Sequence, residues 1–85
     1  MAKWSVELKF DEDEDYTQAV ATMRSPNGRE LRGLGQSRRN PDDKPVAQIG
    51  EEVAGARALS SLAHDLLDYA ASEIERNVRR GDPAV

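Results

Sequence analysis

Apolar and polar residues alternate from Lys3 to Phe10. Trp4, Val6, Leu8 and Phe10 fall on one side, and Ser5, Glu7 and Lys9 on the other. That period of two predicts a half-buried strand over about residues 3–10. Five carboxylates follow, Asp11 to Asp15, and such a run is expected to be a solvated turn. Tyr16 to Arg24 reads as a second strand, with Thr17, Ala19, Ala21 and Met23 as one candidate inward set and Val20 facing the other way. Ser25-Pro26-Asn27-Gly28 is turn chemistry, since proline presets φ and Asn-Gly tolerates positive φ. The third strand is expected at about 30–37. Leu31 and Leu34 stand three apart, on opposite faces under strict alternation, so a bulge at Gly33 or Gly35 is expected to reconcile them.

Pro41 and Pro45 mark residues 38–48 as loop. The period then changes. From about Ile49 to Arg80, steps of 100° place Ile49, Val53, Ala56, Ala63, Leu67, Ala70, Ile74 and Val78 on one stripe. Leu59, Leu62, Leu66 and Tyr69 widen it in the middle turns. Gly50, Glu51 and Glu52 suit a helix start near the positive end of the dipole. Arg76, Arg79 and Arg80 suit its end, Glu75 and Arg79 pair at i,i+4, and Gly81 with Pro83 stops it. Residues 81–85 are a tail. The whole chain is thus expected to be one α+β domain, a three-stranded antiparallel sheet followed by one long C-terminal helix.

Length sets up a mismatch. A helix of about 30 residues spans roughly 45 Å, whereas strands of about seven residues span roughly 23 Å. One sheet leaves part of that helix without cover. A homodimer follows as the expectation, with Leu59, Leu62, Leu66 and Tyr69 as the candidate interface. The alternative is a helix broken near Ser60-Ser61 or Ser72 that folds back on itself.

Composition sharpens this picture. Eighty-five residues without a cysteine make a domain of marginal core size with no disulfide or thiolate zinc site, a class that often gains burial by oligomerising. No apolar stretch has the length of a membrane span, and no leader-like segment follows Met1, so a cytoplasmic location is expected. The net charge is −4, yet Arg24, Arg29, Arg32, Arg38, Arg39 and Lys44 gather in the second and third strands and the following loop. Arginine forks match phosphate geometry, and these six are the candidate nucleic-acid contacts. The competing reading is solubilising charge paired with Glu30, Asp42 and Asp43.

Other chemistry falls away on inspection. Asp11, Asp13 and Asp15 imitate the start of a calcium loop, but Tyr16 replaces its glycine and Thr22 its bidentate glutamate. Gly33-Leu34-Gly35 lacks the third glycine and following helix of a dinucleotide fingerprint. His64 and Asp68 share a helix face without an oxyanion hole or pocket. No catalytic residue, metal or cofactor is expected.

The stretches Asn40-Pro41-x-Asp43, Ile49-Gly50-Glu51-Glu52 and Ala56-Arg57-Ala58-Leu59, together with Trp4-x-Val6, Thr17-x-Ala19 and Leu31-x-Gly33-x-Gly35, resemble a small actinobacterial family of unknown function. Some members of that family belong to mycobacterial hypoxia and dormancy responses. Their fold is similar to part of the ribosome hibernation promoting factors, which resemble double-stranded-RNA-binding domains. The resemblance implies a dimeric β-β-β-α architecture and a non-catalytic, ribosome-binding role in stress. Fold likeness alone does not transfer function, and the alternative is a dimeric protein-interaction module without nucleic acid.

Overall fold

The computed structural model describes residues 2–39 and 46–79. Strands β1 (Ser5–Glu12), β2 (Tyr16–Arg24) and β3 (Glu30–Arg38) form one antiparallel sheet in the order β1-β2-β3, followed by helix α1 (Ala47–Arg79). This is the three-stranded α+β architecture that the alternation and the later helical period predict.

β1 sits two residues further along than expected. Asp11 and Glu12 pair with Gln18 and Thr17, so two of the five acids belong to the strand and the turn shrinks to Asp13–Asp15. An Asp15 amide bonded to the Asp13 carboxylate and an Asp13 amide bonded to the Tyr16 carbonyl close that turn, each at 2.9 Å. At the other hairpin the Gly28 amide bonds the Ser25 carbonyl at 3.0 Å, and among the described residues only Gly28 takes positive φ, at 85°. A β-turn with Pro26 in its second position, followed by a left-handed glycine, is a standard three-residue hairpin loop.

The two registers combine into rows that cross the whole sheet. On the helix side they read Val6–Met23–Leu31, Leu8–Ala21–Gly33, Phe10–Ala19–Gly35 and Glu12–Thr17–Ser37. In the last three of these rows side chains shrink from β1 towards β3. The expected bulge is absent, because β3 stays in register with β2 from Glu30 to Arg38. Leu34 simply faces outward and is exposed. Gly33 and Gly35 serve close approach instead. A methyl at Gly33 would overlap the Ala58 carbonyl and the Leu62 amide, and one at Gly35 would overlap the Ala54 carbonyl and the Ala58 amide. The helix backbone lies directly on β3, with Ala54 and Ala58, one turn apart, as the matching small residues.

α1 is continuous through Ser60-Ser61 and Ser72, so it does not fold back. It begins at Ala47, two residues early, with the Ile49 amide on the Val46 carbonyl. Glu51 and Glu52 consequently lie beyond its first turn, where the dipole acts weakly. Arg80, Gly81 and Pro83, expected to end it, and residues 40–45 of the loop lie outside the described residues.

The core is thin. Its buried apolar members are Ala19, Ala21, Met23, Ala54, Ala58 and Leu62, with Leu8, Leu31 and Leu66 packed against them. Four of those six are alanines, and no large side chain among the described residues is fully buried. The helix runs back along β3 and onward, giving a body of 58 × 22 × 17 Å. Nine-residue strands cover only about 30 Å of that length.

Candidate interaction surfaces

The cationic residues singled out from the sequence divide among separate places. Arg24 and Arg32 point from the outer sheet face and both bind Glu30, at 2.9 and 3.1 Å. These hydrogen bonds, from Arg32 first and Arg24 second, hold the Glu30 carboxyl below its ordinary pKa. Arg29 lies on the helix side, its guanidinium 4.3 Å from the centre of the Tyr69 ring. Arg39 binds the acidic turn through both its backbone, 2.8 Å to the Asp15 carbonyl, and its side chain, 2.6 Å to the Asp15 carboxylate. Arg38 stands 6.0 Å from the Tyr16 ring. Lys44 lies outside the described residues. What remains together on the outer face is Lys9, Arg24, Arg32 and Arg38, interleaved with Glu7, Asp11 and Glu30.

The four residues proposed for a dimer interface are also spread out. Leu62 is buried in its own chain, and Leu66 packs against that core. Tyr69 carries Arg29. Leu59 alone is well exposed, at 42%. Leu62 is therefore covered by its own sheet, because Ala58 and Gly33 let the helix settle deeply enough to bury it.

Most of the exposed apolar surface lies beyond those four residues. Val6 and Phe10 on β1, and Trp4 just before it, are 47%, 37% and 48% exposed although Val6 and Phe10 share a face with the core of β2. A cleft of about 460 Å³ separates β1 from the helix, bordered by Leu8, Phe10, Gly55, Ala56 and Leu59. Ile49, Leu67, Ile74 and Val78 are also exposed along α1. Alternation in the sequence places Val6 and Phe10 on the correct face. It carries no information about whether the helix reaches them.

A second cleft, about 610 Å³, opens beside the acidic turn and the start of α1. Its walls mix Asp13 and Asp15 with Arg38, Arg39 and Arg57. Arg57 is spent on the Gln36 carbonyl, 2.7 Å away. Among the described residues no three of His, Asp or Glu converge closely enough to hold a metal ion, and no helix is long and apolar enough to cross a membrane. His64 is exposed on the helix.

These features define a small three-stranded α+β protein whose distinctive surfaces are an unpaired, apolar-lined sheet edge and a helix longer than its sheet. The chain belongs to the Rv2632c-like family, which it matches over residues 2–83. It is 41% identical over 75 residues to Rv2632c of Mycobacterium tuberculosis, an alignment spanning 88% of this chain and 80% of that one. It is 42% identical over 72 residues to Mb1767 of Mycobacterium bovis, spanning 85% and 76%. Both relatives are uncharacterised. The crystal structure of Rv2632c superposes with a TM-score of 0.78 at 41% identity, covering 88% of each chain.

Proposed function

We propose that the protein is a non-catalytic, homodimeric interaction protein. One observation carries this reading: Trp4, Val6 and Phe10 leave an apolar strip bare beside a core built mainly of alanines. A second copy would cover that strip and enlarge the core, which small domains without disulfides or metals commonly require. Light scattering at micromolar concentration tests it. A dimer mass is expected, and a folded monomer overturns the reading.

A ribosome-binding role in stress, the function implied by the resemblance to hibernation factors, is the second reading. Lys9, Arg24, Arg32 and Arg38 on the open sheet face favour it. The splitting of the other arginines between Asp15 and Tyr69 ranks it second. Co-sedimentation with bacterial ribosomes at low and moderate salt separates the two. Phosphate contacts weaken steeply as salt rises, so salt-sensitive pelleting abolished by Arg32→Glu and Arg38→Glu supports ribosome binding. Absence of pelleting from a folded dimer leaves the interaction protein.

A further inference from the structure

We infer that the second copy docks edge to edge on β1, in antiparallel register with Leu8 opposite Leu8 of the partner, joining two sheets into one of six strands. This rests on the homodimer reading and specifies where and how that dimer forms.

The hydrogen-bond phase of the sheet comes first. The Asp13 amide bonds the Tyr16 carbonyl, and the Arg39 amide bonds the Asp15 carbonyl. Carried along the β1–β2 register, in which Asp11 faces Gln18 and Lys9 faces Val20, these bonds assign the odd-numbered residues of β1 to the ladder with β2, because paired residues exchange bonds at every second position. The amides and carbonyls of Val6, Leu8 and Phe10 consequently point away from β2, towards the open edge. Every second residue of β1 thus offers an unused donor and acceptor, the template that strand addition requires.

Side chains select the register. With Leu8 opposite Leu8, Val6 faces Phe10 of the partner on the helix side, and Phe10 faces Val6. On the outer face Glu7 falls opposite Lys9 and Lys9 opposite Glu7, giving two cross-strand ion pairs. Moving the pairing by two residues sets Glu7 against Glu7 in one direction and Lys9 against Lys9 in the other. Like charges directly opposite each other are destabilising. Within one copy Glu7 and Lys9 form an ion pair at 3.4 Å, and both side chains are largely exposed, so both are accessible to a partner.

The same geometry answers the bare strip. The two clefts between β1 and α1 would face each other across the two-fold, forming one apolar trough floored by Val6, Leu8 and Phe10 of both copies. The β3 edge offers no such gain, because its helix-side positions, Gly33 and Gly35, are already covered.

Charge reversal and charge exchange test the register. Lys9→Glu creates two like-charge pairs across the two-fold and is expected to weaken the dimer about tenfold. Glu7→Lys combined with Lys9→Glu restores both pairs and is expected to bring dimer affinity back to that of the wild type. Circular dichroism checks that each variant folds. A second measurement uses the absence of native cysteine. Under mild oxidation a mixture of Glu7→Cys and Lys9→Cys chains should form a disulfide-linked dimer, because non-hydrogen-bonded antiparallel pairs have the required spacing. Each variant alone should not. A wild-type monomer at micromolar concentration overturns the dimer itself and points to a strand from another protein as the occupant of the edge. A wild-type dimer insensitive to Lys9→Glu, or not restored by the exchange, overturns the register and leaves the homodimer standing.

Discussion

The two halves of the inner sheet face are built on opposite plans. Over the middle of β2 and β3 the residues are small, Ala19, Ala21, Gly33 and Gly35, and the helix backbone rests almost on the strand. Over β1 they are large, Val6, Leu8 and Phe10, and the helix meets them only at Leu8 and at the tip of the Phe10 ring beside Gly55, leaving Val6 and much of Phe10 exposed. The difference shows that side-chain size steers a helix across a sheet. A helix gains most dispersion and burial where backbones approach closest. It therefore settles on the glycine side and leaves much of β1 uncovered.

The largest effect should come from filling the covered half. Gly35→Ala forces a methyl into the Ala54 carbonyl and the Ala58 amide, neither of which can yield without moving the helix. A loss of about 3 kcal/mol is expected, read as a lower urea midpoint at unchanged slope. A neutral result would mean that the helix is free to slide, and the contrast between the halves would collapse. On the uncovered half, Phe10→Ser should leave the fold of one copy largely intact while weakening self-association about tenfold. Sedimentation velocity over a dilution series measures this, and a loss of fold at unchanged association would reverse the assignment. Tyr69→Ala removes the platform under Arg29 at the far end of the covered half. The expected cost is about 1 kcal/mol, a drop of roughly 5 °C in melting temperature, with no change in oligomeric state.

The smallest effect belongs to the outer face. Glu30 is held ionised by Arg32 and Arg24, so its pKa is lower in the folded chain than in the unfolded one. Such a group contributes stability above its ordinary titration range, and that contribution is lost as the pH falls through the lowered value. Glu30→Gln should therefore lower stability slightly at neutral pH. The gap to wild type should close in acid, and a gap that widens in acid would reverse the assigned sign.

Much of the frame was legible from residue order. Alternation located the inward set Thr17, Ala19, Ala21 and Met23, and the later helical period revealed one long helix. The glycines were misread because Leu31 and Leu34 cannot share a face, and a bulge is the usual remedy when both leucines must be buried. Leu34 needs no burial. The better signal was small residues answering each other, Gly33 and Gly35 two apart on a strand and Ala54 and Ala58 four apart on a helix, spacings that place each pair on one face. A helical wheel marked Leu62, Leu66 and Tyr69 as surplus because it counts apolar residues without knowing how deep the helix sits. The cationic residues shared a stretch of sequence, yet a hairpin sends neighbours such as Arg29 and Arg32 to opposite faces.

The helix extends well past the sheet that anchors it, and that has a temporal consequence. Its turns beyond Tyr69 include the exposed Ile74 and Val78. Short helical segments without tertiary support are marginal in water, and regions of low contact density open first and meet proteases first. The turns beyond Tyr69 should therefore be cut first in limited proteolysis, ahead of the sheet and of the turns packed on it. The overhang thus sets the order in which the molecule comes apart, from the far end of the helix towards the sheet.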